Sequence, residues 1–276
     1  MEFLKFIILA IIQGIAEVLP ISSSGHLRIF SSIMNVDTNG SFLALAIFLH
    51  FGSLIAVIVY YWKDLIKIIT GTWKFLFFKN KTDEDKFNAK LLLFLIIATI
   101  PAGVVGLLFS DKIDALPLIW VFGFLFVTGV IILVCKFFTR NKPLKELKWY
   151  EALIIGLFQA VGVLPGISRS GITITGGKVV GQDDESSSKF AFLLFIPVTA
   201  GSFLLEVIKV FKGDIILESS ILWQYLVGIV VAGIVTFLSL KLLYGIIKKG
   251  KLYYFSFYCF IVAIVGIILC ATGVLA

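Results

Sequence analysis

Apolar residues in this chain come in long unbroken blocks, not in the one-faced patterns of a water-soluble core. Six blocks, 41–62, 88–109, 117–138, 186–210, 221–246 and 253–275, each exceed the about 20 residues that a helix needs to cross a bilayer. Two further regions, 3–34 and 149–180, differ. Each holds a short apolar arm, a break rich in Pro, Ser and Gly, and a second short arm. Arms of about 12 to 17 residues are too short to span and predict re-entrant helical hairpins. Broken backbone survives at membrane depth only where protein buries it or a wet cavity faces it.

The two breaks match. From Gln13 to Gly25 is twelve residues, and from Gln159 to Gly171 is again twelve. At equal offsets Ser22 meets Ser168, Ser23 meets Arg169 and Ser24 meets Ser170. Downstream, "FGSL" at 51–54 echoes "AGSF" at 200–203, and "VTGVIILVC" at 127–135 resembles "VAIVGIILC" at 262–270. The pattern predicts an all-α polytopic membrane protein built as one membrane domain from two repeats. The first covers 1–138 and the second 149–276, each a re-entrant hairpin (3–34, 149–180) followed by three transmembrane helices. Three crossings per repeat start the second repeat on the opposite side, so the repeats are expected to be inverted.

Charge fixes the orientation. The loops 63–87, 139–150, 176–185 and 247–252 carry fourteen Lys/Arg, against two in the loops 35–40, 110–116 and 211–220. By the positive-inside rule the first set is cytoplasmic, both termini lie outside, and the hairpin breaks approach each other from opposite faces. The net charge of +7 therefore reads as an orientation signal and not as a nucleic-acid surface. Composition agrees: 59% of the 276 residues are hydrophobic, only 15% are charged, and mean hydropathy is +1.06. Cys135, Cys259 and Cys270 stand singly in apolar runs and read as core residues. The opening "MEFLKFIILAIIQGIAEVLP" imitates a signal peptide. It lacks a small-residue cleavage site and is interrupted by Glu17, so it is expected to stay in the mature protein.

The chemistry sits at the breaks. The first reads "QGIAEVLPISSSGHLR". Gln13 and Glu17, four apart, share one helix face aimed at the break, followed by Ser22, Ser23, Ser24, Gly25 and His26. An ionisable residue at membrane depth is a functional candidate by default. The second, "PGISRSGITITGGK", supplies glycines for close approach (Gly166), hydroxyls (Ser168, Ser170, Thr173) and helix-start amides, which together make an anion cradle. Arg169 adds a planar, permanently charged fork suited to phosphate. The "GITITGGK" tail fails as a Walker A loop, because Val179 follows Lys178 and the earlier glycine is missing. A carboxylate, a hydroxyl and an imidazole on one tip, with a guanidinium on the other, fit phosphoryl transfer. Glu17 reads as general base or metal ligand, and either Ser23 or water as the attacking group. A transporter or flippase of an anionic lipid is the alternative, since inverted repeats with broken helices are a carrier architecture. His50, inside a full span, reads as a satisfied polar residue outside the site.

These elements resemble a known family. "QGIAE" is similar to its (E/Q)xxxE element, "SSSGH" to its Ser-Ser-x-Gly-His element and "PGISRSG" to its PGxSRS element, with "HFGSLIAV" and "FAFLLFIP" extending the likeness over nearly the whole chain. The family is that of the undecaprenyl-diphosphatases of the bacitracin-resistance type. The resemblance implies hydrolysis of a C55 polyprenyl diphosphate to the monophosphate and inorganic phosphate, at the outer side of the cytoplasmic membrane. That reaction recycles the lipid carrier of cell-wall synthesis. It also implies a divalent cation, Mg²⁺ or Ca²⁺. Glu17, Ser23, His26 and Arg169 correspond to the catalytic residues, and Gln13, beside Glu17, to the variable Glu/Gln position and a metal ligand. Ser22, Ser24, Gly25, Gly166, Ser168, Ser170 and Thr173 fall in the substrate-binding segments. Ala46 stands where many members carry an acid, and Val18 replaces a usual Phe. Partners are then the lipid substrate, membrane lipids and, left open, a second copy.

The charge bias yields a first test. Single cysteines at Thr38 and Lys145 should react with an impermeant thiol reagent from opposite sides of the membrane. Reaction of both from one side overturns the inverted arrangement.

Overall fold

The computed structural model describes residues 2–36, 41–138, 141–213 and 222–275, and only the backbone of residues 2, 41–44, 111 and 114. Position 38, in the loop 35–40, and most of the loop 211–220 lie outside the described residues. The described residues form eleven α-helices and no strand. They are α1 (Glu2–Ala16), α2 (Ser23–Ile33), α3 (Ser41–Tyr60), α4 (Trp62–Phe77), α5 (Asp83–Asp114), α6 (Leu118–Cys135), α7 (Trp149–Val161), α8 (Arg169–Val179), α9 (Asp184–Lys212), α10 (Leu222–Lys248) and α11 (Tyr254–Ala271). α5, α6, α9, α10 and α11 are each long and apolar enough to cross a membrane. α3 and α4 form a sixth candidate that bends by 71° at Tyr61. The described residues are thus all-helical, and the chain is a multi-pass membrane protein. Each Pro-Ser-Gly break separates two short helices, α1 from α2 and α7 from α8.

Two expectations need correction. Residues 63–87, read as a loop, contain most of α4, a sixteen-residue helix that begins at Trp62. Its lysines hid a helical period in the apolar residues between them. The loop 176–185 is also shorter than expected, because α8 runs to Val179 and α9 starts at Asp184. Of the three cysteines, Cys135 and Cys259 are buried and Cys270 is half-buried.

Loops that the charge pattern assigns to one side do meet. Lys142 pairs with the α8–α9 turn, its N–H donating to Gly181 O (3.1 Å) while Asp183 N donates to Lys142 O (3.1 Å). Lys142 also holds Glu151 at 2.5 Å, Lys178 holds Asp184 at 2.5 Å, and Lys189 holds Asp64 of α4 at 2.6 Å. Gly250 and Leu252 line a cavity together with Lys178 and Asp184. At the bend itself the Tyr61 and Tyr244 hydroxyls hydrogen-bond, and Tyr60 stacks on Tyr244.

The helices pack through close approaches. α3 rests on α10, and a Cβ added at Gly52 would lie 2.4 Å from the Ile229 carbonyl oxygen. Backbone cannot move aside there as a flexible side chain can. By contrast, a Cβ at Gly103 of α5 meets nothing within 4 Å. Gly52→Ala should therefore lower the unfolding midpoint in detergent, at an overpacking cost of about 1–3 kcal/mol. Gly103→Ala should hold or raise it, since alanine favours a helix by about 1 kcal/mol over glycine. Equal midpoints for the two variants would refute this account of the α3–α10 contact.

Candidate active site

The matched serines do the same job in both breaks. Ser22 caps the N-terminus of α2 by accepting from Gly25 N (3.3 Å), and Ser168 caps α8 by accepting from Gly171 N (3.1 Å). Serine is suited to this because its oxygen takes an amide that the helix cannot satisfy. The breaks also hold each other. Ser22 Oγ accepts a second amide, Gly166 N, at 3.1 Å, and Ser170 Oγ donates to Leu19 O at 3.4 Å. Gly166 has φ +101°, and a Cβ on it would lie 2.3 Å from the Val121 carbonyl, so only glycine fits. Thr128 of α6 straps the second break, donating to Gly166 O (2.8 Å) and accepting from Ser168 N (3.0 Å).

The result is a small polar cavity at the N-terminal ends of α2 and α8. Glu17, Ser22, Ser23, Ser24, Ser168 and Arg169 line it, with Ala16, Gly162 and Ile167. Glu17 is 7% exposed. Its Oε2 accepts from Gln13 Nε2 at 2.5 Å and lies 3.1 Å from Nδ1 of His50 on α3. That histidine nitrogen is also 2.9 Å from Gln13 Nε2. Ser23 sits next to the same carboxylate. Arg169 donates from Nη1 to Thr199 Oγ1 (2.9 Å) and lies over the Phe195 ring at 5.7 Å, both on α9. The Arg169 side chain thus donates to Thr199, while Glu17 is held by Gln13 and His50.

The other sequence candidates are distributed differently. His26 is buried and turned to α11, with Nε2 2.7 Å from the Tyr258 hydroxyl and Nδ1 2.9 Å from Ser22 O. It does not line the cavity. Thr173 donates to Arg169 O of its own helix at 2.6 Å and is likewise off the wall. Gly25 faces Gly166, a Cβ on it falling 3.1 Å from the Gly166 Cα, and so permits the contact between breaks. The sequence pattern places His50 outside the site and does not single out Thr128, Phe195, Thr199 or Tyr258. His50, expected to be satisfied outside the site, is satisfied by Glu17 itself. A lone polar residue inside an apolar span is the signal that would have singled out His50 and Thr128. Nothing local marks Phe195 or Tyr258.

The donor set bears on a cation. Among the described residues no three His, Cys, Asp or Glu side chains gather in one place. Beside Glu17, however, Gln13 Oε1 is buried without a partner. One carboxylate and one free amide oxygen are hard ligands. They fit a cation such as Mg²⁺, which is commonly bound through one or two carboxylates and completes its shell with phosphate and water.

Known proteins resemble this chain over nearly its whole length. The family described as bacitracin resistance protein BacA matches residues 6–265. Undecaprenyl-diphosphatase of Oceanobacillus iheyensis is 37% identical over 270 residues, 95% of each chain. Undecaprenyl-diphosphatase 1 of Shouchella clausii is 38% identical over 268 residues, covering 96% of this chain and 95% of its own. Undecaprenyl-diphosphatase of Halothermothrix orenii is 38% identical over 272 residues, 98% of each chain. With matches of this extent, and with the sequence elements of both breaks assembled around one cavity, the chain belongs to the bacitracin resistance protein BacA family.

Proposed function

We propose that this protein is an integral membrane phosphatase that hydrolyses undecaprenyl diphosphate to undecaprenyl phosphate and inorganic phosphate, returning the lipid carrier to cell-wall synthesis. One observation carries the reading. Two serine-capped helix starts, 146 positions apart in sequence at Ser22 and Ser168, meet at a cavity lined by Glu17, Ser23 and Arg169. Helix N-termini attract anions through their free amides and their dipoles, and two of them with a guanidinium suit a diphosphate. A carrier needs such a cradle too. It does not need a carboxylate oriented by two neighbours beside a hydroxyl, and the curated relatives are named as phosphatases.

In this reading Arg169 clamps the transferring phosphoryl group and steadies the charge that develops on its oxygens. Glu17, oriented by Gln13 and His50, takes the proton from the attacking hydroxyl of water or of Ser23. The bond from the terminal phosphorus to the bridging oxygen breaks, and undecaprenyl phosphate leaves. If Ser23 attacks first, water then releases phosphate from it. Ser22, Ser24, Gly25, Gly166, Ser168 and Ser170 shape the cradle. A divalent cation held by Glu17 and Gln13 Oε1 would neutralise phosphate charge when bound. The two breaks belong to re-entrant hairpins of inverted repeats, 1–138 and 149–276. Both termini lie outside, and the reaction occurs at the outer side of the cytoplasmic membrane. The fourteen-to-two charge bias supports that orientation.

The test is phosphate release from C55 diphosphate by the purified protein. EDTA should suppress it, and added Mg²⁺ or Ca²⁺ should restore it. Glu17→Gln keeps the shape and removes the charge, so turnover should fall by about 10²-fold or more. A rate within a few-fold of wild type would put the base elsewhere. Arg169→Lys keeps the charge and loses the paired fork, so activity should fall steeply while the unfolding midpoint stays near wild type. A loss of stability of roughly 3–5 kcal/mol would instead mark Arg169 as the partner of a buried charge.

A further inference from the structure

α4 is not used by this chemistry, and it carries three separate faces. Ile68 and Gly71 are buried and Leu65 and Phe75 are half-buried, the row that packs on α5, where Gly71 meets Asn88. A second row, Trp62, Ile66, Ile69, Trp73 and Leu76, follows the 4-3-4-3 spacing of one helix stripe, which Phe77 joins four residues after Trp73, and these side chains are 49% to 65% exposed. A third row holds Lys63, Lys67 and Lys74. From residue 62 to 81 the chain has five lysines and one acid, Asp64, which Lys189 neutralises. The acids that open α5 are engaged: Asp83 with Lys86, Glu84 with Lys67 and Asp85 with Thr82.

Geometry says what covers the apolar row. α3 has twenty residues, about 30 Å of helix, which is long enough to cross the hydrocarbon by itself. With α3 placed across the bilayer, the 71° bend at Tyr61 turns α4 towards the plane of the membrane surface. Contiguous exposed apolar side chains of this extent do not face water. Tryptophans at residues 62 and 73 suit the headgroup level, and a flanking lysine row suits lipid phosphates.

We propose that α4 is an in-plane anchor that docks on an anionic leaflet. The row from Trp62 to Phe77 enters the acyl boundary, and Lys63 and Lys74, with Lys79 just beyond the helix, bind lipid phosphates. The partner is a bilayer rich in anionic lipid and not a second copy of the chain.

The 276-residue chain in phosphatidylcholine–phosphatidylglycerol vesicles tests this through tryptophan quenching by brominated lipids. The Trp73 signal is the difference between wild type and Trp73→Phe, and the Trp62 signal follows likewise from Trp62→Phe. Both should quench best with bromines near the headgroup end of the acyl chain. Brominated phosphatidylglycerol in phosphatidylcholine should quench Trp73 as though enriched at least ~5-fold over the reverse pairing, the factor given by ~1 kcal/mol per lysine at such a surface. Replacing Lys63, Lys74 and Lys79 together by Gln should bring that ratio close to one at unchanged depth. Trp73 unquenched by either lipid, or quenched only at dilutions where the chain is monomeric, would assign the row to water or to a second copy and overturn the anchor. Equal quenching by both lipids in the wild type would overturn the anionic preference. Trp73 deeper than Trp62 would make α4 part of a crossing.

Discussion

One hydroxyl, Ser22 Oγ, accepts an amide from each of the two chain breaks, and the rest of the site depends on that pairing. A helix that begins in buried protein leaves its first amides without partners, and such groups are costly to bury. This chain begins two helices side by side and lets each break serve the other. Ser22 takes Gly166 N, Ser170 reaches Leu19 O, and Thr128 of α6 takes what remains at Gly166 and Ser168. Gly166 is required because the contact leaves no room for a Cβ and demands a positive φ. The cavity is the space left between two helix starts that satisfy each other in this way. Sequence, fold and chemistry are linked there by very few atoms.

The same economy explains how a nearly buried carboxylate is tolerated. Glu17 sits on the turn after α1, its N–H donating to Gln13 O at 2.9 Å, and its side chain folds back to the same residue. The i to i+4 spacing makes that return possible. His50 approaches from α3, and Arg169 opens α8 on the far side of the cavity. A charged group removed from water needs hydrogen bonds and opposite charge around it. Here the surroundings come from three separate stretches of chain.

Much of this was legible beforehand. The twelve-residue match between the breaks paired Ser22 with Ser168, and both turn out to be N-caps of helices of equal length. Spans were legible because a bilayer-crossing helix must be apolar for about 20 residues whatever it packs against. α4 was not. Its lysines raised the charge count of what looked like a loop, and its apolar residues showed a period only when read around the helix. His50 and Tyr258 were hidden for a different reason. Their partners, Glu17 and His26, lie 33 and 232 positions away, and no local pattern carries that distance.

His26 shows how far residue type alone can lead. An imidazole three positions after Ser23 invites a catalytic role, and family resemblance carries that role to it. In the fold both ring nitrogens are engaged, one by the Ser22 carbonyl that opens α2 and one by the Tyr258 hydroxyl of α11, with the two rings stacked at 5.6 Å. To act on a phosphate in the cavity, His26 would have to leave Tyr258 and turn around the first turn of α2. Glu17, Ser23 and Arg169 line the cavity as they stand. In this arrangement the imidazole ties the start of α2, and therefore Ser22 and Ser23, to α11.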